Sequence, residues 1–174
     1  CNQAAELAAA LEAAGVRMID RGHAIQELGG ARLGIAGAKG FVGGFPDSAL
    51  PDFGEPLLRQ VYAETTAEVD ALAAGLAAIA DCDHRIALLH YAPSATTLEG
   101  EPRGIFAFLG SDRLAGPILE HHPDMVLHGH AHAGSRKPRE SRRRSVDGLP
   151  VDVEHALHVE DDAARRAHPA SADS

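Results

Sequence analysis

The sequence has 174 residues, enough for one domain with a sizeable core and too few for two domains of ordinary size. Apolar residues make up 45% and aromatic residues only 4%, which predicts an aliphatic core. The net charge of −9 makes the chain a poor general partner for nucleic acid or anionic membranes. Cys1 and Cys82 lack Cys-x-x-Cys spacing, which argues against a disulfide framework and a cysteine zinc site. No apolar run approaches the roughly 20 residues that span a bilayer, and we expect a cytoplasmic protein.

The first half of the chain predicts a helix followed by strands and a long loop. Residues 2–15 predict the helix, with Asn2 as N-cap and Gly15 as its stop. Alternating apolar residues predict short strands at 16–20 and 23–28. Residues 31–40 predict a buried strand that runs into a glycine-rich loop, 37–56. Loops of that length in a compact domain are usually functional or mobile.

The second half predicts two more buried strands and two helices. Apolar residues at helical spacing predict a long helix at 56–79. A strand at 86–89 and another at 124–129 are separated by a loop, 91–110, and a helix at 111–122 that Pro117 shortens or kinks. Residues 149–156 could form a last strand. Strands alternating with helices predict an α/β fold with a mixed or parallel sheet.

Histidines mark the ends of two of these buried strands. His90 ends the run IALLH, and His130 and His132 follow the run MVL in the stretch HGHAH. On an extended segment, residues two apart project to one side, and we take Gly129 to permit a tight turn. Ligands of α/β sheets bind outside the carboxyl ends of strands, and neutral imidazole is a common metal ligand. The sequence therefore predicts a metal site that contains His90, His130 and His132.

The stretch LLHYAP followed some forty residues later by MVLHGHAH resembles the calcineurin-like metallophosphoesterase family. AGAKGFVGGF and LEGEPRGIFAFLGSDRLA are similar to a bacterial branch of that family. The resemblance implies mixed β-sheets flanked by helices, with a dinuclear metal centre at the strand ends. It implies hydrolysis of phosphate mono- or diesters by a metal-bound hydroxide. The two divalent ions would be manganese, iron or zinc, and the partner a phosphoester substrate.

Carried over by position, the resemblance assigns one histidine to one metal and two to the other. His90 and His130 would bind the second metal, and His132 the first. The family's Asp-x-His, Gly-Asp and Gly-Asn-His motifs do not occur in this sequence. We therefore interpret residues 1–156 as the C-terminal part of a single metallophosphoesterase domain, incomplete at the N-terminus. Residues 157–174 are polar without periodicity and predict a disordered tail.

Several alternatives stay open at this point. The chain could be a non-catalytic metal-binding or interaction domain with a decayed site. His128 could support the metal ligands from behind, although a packed strand residue is the simpler interpretation. Lys39, in the glycine-rich loop, could contact a phosphate or simply be solvated. The six basic residues within 136–144 could bind nucleic acid or steer an anionic substrate, but such runs usually form solvated turns. The sequence does not indicate an oligomeric state.

Overall fold

The computed structural model describes residues 4–133. Two strands form a hairpin in the first half of these residues, and helices alternate with strands in the second half. One-turn 3₁₀ helices lie at Ala95–Leu98, Arg103–Ile105 and Asp112–Leu114. In chain order, the remaining elements are α1 (Ala4–Ala13), β1 (Gly22–Leu28), β2 (Ala31–Ala38), α2 (Pro56–Ala78), β3 (His84–Leu89), α3 (Phe106–Leu109), α4 (Ala115–His121) and β4 (Met125–Leu127).

The four strands form one mixed sheet in the order β1-β2-β3-β4. β1 and β2 are an antiparallel hairpin, whereas β2, β3 and β4 are parallel. The parallel pairs require crossover connections, which α2 provides between β2 and β3. The α/β fold with a mixed sheet, predicted from the sequence, is confirmed at this level. Because the three parallel strands end at the same edge, the residues that follow them lie close together there.

One face of the sheet carries the main core. The apolar stripe of α2 packs on small and aliphatic side chains of the three parallel strands, and α4 packs beside it. Leu72 and Leu76 of α2 are buried, and each contributes about 1.5–3 kcal/mol through removal of its side chain from water. The other buried members of this core are Ala36, Ala38, Ile79, Cys82, Ala87, Leu89, Leu114, Ile118 and Val126.

The opposite face of the sheet is more open. Leu88 alternates with the buried Ala87 and Leu89 along β3, and its side chain is 40% exposed. Ile35 and Ile86 on the neighbouring strands are half-buried. The segment before β1 crosses this face, where Ile19 lies against Gly37 so closely that a Cβ there would come within 2.5 Å of its Cγ2.

The predicted elements agree with the structure where apolar runs are long. α2, β2, β3 and β4 are confirmed within one to three residues, and α1 ends at Ala13, two residues before Gly15, which has φ +82°. The expected strand at 16–20 is wrong, because this segment crosses the sheet face instead of pairing at its edge. The expected loop at 91–110 contains two 3₁₀ turns and α3. The helix predicted at 111–122 is short, because Asp112–Leu114 form a 3₁₀ turn and α4 covers only Ala115–His121. Pro117 lies in the first turn of α4, where its missing N–H is not needed.

The predicted strand at 149–156 and tail at 157–174 lie outside the described residues, as does the end of the 1–156 domain. Between residues 4 and 133, the structure contains no helix with the length and apolar character needed to cross a bilayer.

Candidate metal site at the strand ends

His90 follows β3 directly and is fixed by backbone hydrogen bonds on both sides. Its N–H and that of Tyr91 both donate to the carbonyl oxygen of Lys39, at 3.1 and 3.0 Å. The His90 carbonyl accepts from the N–H of Gly129, at 3.2 Å. These bonds extend the parallel ladder beyond the last residues of β2, β3 and β4. The backbone of His90 is therefore held in register with both neighbouring strand ends.

His130 turns back over His90 because its backbone adopts a left-handed conformation, with φ +71°. The centroids of the two imidazole rings are 4.6 Å apart. The expectation of an extended HGHAH segment is therefore wrong, since β4 ends at Leu127 and the turn falls on His130 itself, not on Gly129. A left-handed conformation is uncommon for a residue with a Cβ, and such strain concentrates at functional sites.

The hydrogen bond of the His130 ring fixes which nitrogen carries the proton. Nε2 lies 3.3 Å from the carbonyl oxygen of Phe108, which can only accept a hydrogen bond. Nε2 must therefore donate, and in the neutral ring the lone pair is left on Nδ1. Metal-ligating histidines commonly donate their other N–H to a backbone carbonyl in this way. The arrangement fits a ligand that coordinates through Nδ1.

The surroundings of His90 favour its neutral form. Partial burial of the ring lowers its pKa below the ordinary value of 6.5. Repulsion from the positive charges of the neighbouring basic side chains, His130, His132, Lys39 and His128, lowers it further. A neutral imidazole has a lone pair to offer a metal, whereas a protonated one does not. His90 is therefore prepared for coordination at neutral pH by the groups around it.

Ala131 and Glu101 anchor the chain on either side of His132. Ala131 packs against the second core cluster, which consists of Phe45, Ala92, Leu98 and Leu109. The Oε1 atom of Glu101 accepts a hydrogen bond from the N–H of Ala133, at 2.6 Å. His132 lies between these two anchors, exposed to solvent and near enough to His90 to affect its pKa.

His128 is buried, with 6% of its surface exposed. Its Nδ1 atom lies 3.0 Å from the carbonyl oxygen of Gly129, within the same segment. The burial agrees with the interpretation of His128 as a packed residue at the strand end.

Tyr91 is an aromatic neighbour of both histidines that sequence reasoning missed. The Tyr91 ring lies 4.5 Å from the His130 ring and 5.5 Å from that of His90, measured between centroids. The Phe41 ring packs against Tyr91, with 5.9 Å between the ring centroids. Burial, together with the charge of Glu68, raises the pKa of the Tyr91 phenol. Tyr91 therefore stays protonated at neutral pH and fixes the positions of both imidazoles by packing.

Glu68 is a second residue that sequence reasoning missed. It lies on α2 and is almost fully buried, with 1% exposed. Its Oε2 accepts from the N–H of Gly40, and its Oε1 accepts from Nε of Arg21, each at 2.8 Å. Arg21 also pairs with Glu64. The spacing carried a signal, because Glu68 lies four residues before Leu72 and eight before Leu76, on the buried face of the helix.

The structure thus brings His90 and His130 together, with His132 nearby on the exposed side. In the part of the chain that the structure describes, no three His, Cys, Asp or Glu side chains are grouped so that they could hold one metal ion. The assignment of His90, His130 and His132 as ligands to two metals stays a prediction. The basic run at 136–144 lies outside the described residues.

Comparison with protein-family models, with curated proteins and with solved structures found no match to this chain. The class defined by the described residues is an α/β fold with a mixed four-stranded sheet. A functional assignment therefore depends on the chemistry of the strand ends.

Proposed function

We propose that the chain carries part of the metal centre of a metallophosphoesterase that hydrolyses phosphate mono- or diesters. The observation that carries this proposal is the pair of imidazole rings of His90 and His130, 4.6 Å apart at the ends of neighbouring parallel strands. In the resemblance to calcineurin-like metallophosphoesterases, these two positions share one metal. The left-handed turn that brings the rings together is not part of the sequence pattern on which the resemblance rests.

The donor set fits a divalent transition metal. The Nε2–H of His130 is committed to the Phe108 carbonyl, which leaves Nδ1 to coordinate. The lowered pKa of His90 keeps its ring neutral. Manganese, iron and zinc all accept imidazole nitrogen. A bound divalent ion supplies charge to neutralise phosphate oxygens and lowers the pKa of a coordinated water.

The residues of this chain would perform three tasks in such a site. His90 and His130 hold the ion, and Tyr91 fixes both rings by packing. The anchors at Ala131 and Glu101 present His132 at the solvent side for a second ion. The carboxylates that usually bridge two dications have no matching motif in this sequence, so metal binding and hydrolysis must be measured separately.

The first test is calorimetric titration of Mn²⁺ and Zn²⁺ into the wild type, His90→Ala, His130→Ala and His84→Ala. His84 is the matched control, because it is an exposed histidine at the opposite end of β3. We expect saturable binding by the wild type and by His84→Ala, and at least a tenfold loss in each of the other two variants, since an imidazole ligand is removed. Equal binding by all four proteins would contradict the proposal.

The second test is Mn²⁺-dependent hydrolysis of bis-p-nitrophenyl phosphate by the same proteins and by His132→Ala. Hydrolysis that disappears in His90→Ala and His132→Ala but persists in His84→Ala would support catalysis by this chain. Metal binding without hydrolysis would favour the alternative, a metal-binding domain without catalysis.

Nucleic-acid binding through the basic run predicts a salt-sensitive affinity that survives loss of His130 and His132.

A further inference from the structure

Lys39 lies at the same sheet edge as the two histidines. It follows β2, and its carbonyl oxygen accepts hydrogen bonds from both His90 and Tyr91. The positive charge of its side chain is one of the causes that lower the pKa of His90. The ammonium group is therefore near enough to the imidazole pair to act on a ligand bound there.

The charge of Lys39 is not neutralised by the part of the protein that the structure describes. Within residues 4–133, Lys39 forms no ion pair, whereas Arg21, Arg59 and Arg85 each pair with a carboxylate. The Nζ atom of Lys39 instead lies 5.0 Å from the centroid of the Phe41 ring, at an exposed position. A cation over an aromatic face keeps its N–H groups for another partner. Lysine is otherwise rare in this chain, which has only one more, Lys137.

The backbone on both sides of Lys39 is fixed. Gly40 donates its N–H to the buried carboxylate of Glu68, at 2.8 Å, and has φ +74°. A Cβ at Gly40 would come within 2.9 Å of Leu114 and 3.0 Å of Tyr91. The lysine side chain is thus carried by a rigid turn, even though it begins a long glycine-rich loop. A fixed backbone reduces the conformational entropy that is lost when the side chain contacts a ligand.

We propose that Lys39 binds the anionic group of the substrate, a phosphate oxygen of the phosphoester, beside the metal held by His90 and His130. This inference rests on the proposed function for its metal. Lysine binds phosphate as a point charge, without a demand for bidentate geometry. Phe41 and the Lys39 carbonyl, which is bonded to His90 and Tyr91, place the charge and the metal ligands on one rigid unit.

The test is calorimetric titration of inorganic phosphate into the wild type, Lys39→Ala, Lys39→Arg and Arg32→Ala, each with and without Mn²⁺. Arg32 is the matched control, a single positive charge seven residues earlier and about 23 Å away along the same strand. We expect roughly ten- to hundredfold weaker phosphate binding by Lys39→Ala, as for loss of a charge-assisted hydrogen bond. Lys39→Arg retains the charge and should stay within roughly tenfold of the wild type, and Arg32→Ala should match it.

The affinity for Mn²⁺, measured on the same samples, separates the two proposals. Equal Mn²⁺ binding and equal phosphate binding by the wild type and Lys39→Ala would overturn the role of Lys39 and leave the metal site intact. If the wild type binds no Mn²⁺, the proposed function fails, and the metal-free phosphate titrations still decide the role of Lys39. Absence of phosphate binding by the wild type, or equal weakening in Arg32→Ala, would also overturn it.

Discussion

The carboxylate of Glu68 accepts a hydrogen bond from the backbone N–H of Gly40, and this bond joins the middle of α2 to the edge of the sheet where the histidines lie. Lys39, which precedes Gly40, is in turn bonded through its carbonyl to His90. A chain of two hydrogen bonds therefore runs from a buried acid on a helix to a candidate metal ligand. The stability of the turn and the position of His90 are coupled through Glu68.

Replacement of Glu68 by alanine should lower the free energy of unfolding by about 1–3 kcal/mol, because the Gly40 N–H is left buried without its acceptor. Glu64→Ala is the matched control, since Glu64 pairs with the same Arg21 but is exposed. We expect less than about 1 kcal/mol for the control. Urea unfolding at constant m-value measures both variants, and equal losses would mean that Arg21, not Gly40, is the important partner of Glu68.

Gly40→Ala should destabilise the protein by about 2–5 kcal/mol. The left-handed backbone costs a residue with a Cβ about 1–2 kcal/mol, and the collision with Leu114 and Tyr91 adds about 1–3 kcal/mol. Gly116→Ala in α4 is the control, because a Cβ there meets no atom within 4 Å and alanine favours a helix. Thermal unfolding should show a loss for the first variant and no loss for the second. Two unchanged melting temperatures would argue against the close packing at Gly40.

At position 130, glycine should give a more stable protein than alanine. Both variants remove the imidazole and its ring contacts, so their difference isolates the left-handed backbone, which costs alanine about 1–2 kcal/mol. At His84, within β3, the order should reverse, because glycine in a strand is about 0.5–1 kcal/mol less favourable than alanine. Chemical denaturation of the four variants measures both differences. Alanine giving the more stable protein at both positions would rule out a left-handed residue at 130.

The lowered pKa of His90 predicts a pH dependence of stability in the metal-free chain. Below the ordinary pKa of 6.5, the unfolded chain binds a proton that folded His90 does not. The free energy of unfolding therefore falls as the pH decreases through 6.5, and this contribution levels off below the lowered pKa of the folded state. In His90→Gln, urea unfolding with a chelator present should show a shallower dependence in that range. An unchanged slope would show that other histidines cause it.

Titration of the His90 ring by NMR checks the causes of the shift. Since partial burial is the largest cause, Lys39→Ala should raise the pKa of His90 only part of the way towards its ordinary value. A full return would mean that the charge of Lys39, not burial, controls His90.

The sequence predicted the elements whose signal is long and local. The apolar residues of α2 recur at helical spacing, and the apolar runs of β2 and β3 are uninterrupted. Both patterns leave little choice of secondary structure, because these residues must be buried. Val16 and Met18 alternate over too short a stretch, and both are exposed in the structure. The 3₁₀ turn at Ala95–Leu98 was missed because it depends on the Ser94 cap and on burial of Leu98 in a distant cluster.

The sequence predicted that His90 and His130 follow buried strands at one sheet edge, but not how their rings approach each other. His90 and His130 stand out as polar residues that end apolar runs, and that pattern is local. The left-handed turn at His130 depends on tertiary contacts, namely the Phe108 carbonyl and the packing of Ala131. Glu68 was missed because a glutamate in a helix usually faces water, although its spacing from Leu72 placed it on the buried face.

The backbone at His130 also bears on how this protein can change over evolutionary time. For the backbone alone, glycine suits this left-handed position better than histidine, so relief of the backbone offsets part of the loss of the ring contacts. A protein without need of the ring would drift here towards glycine or asparagine, the residues that best tolerate a left-handed backbone. Related sequences should therefore divide at position 130 between histidine and these residues, according to whether they retain the chemistry.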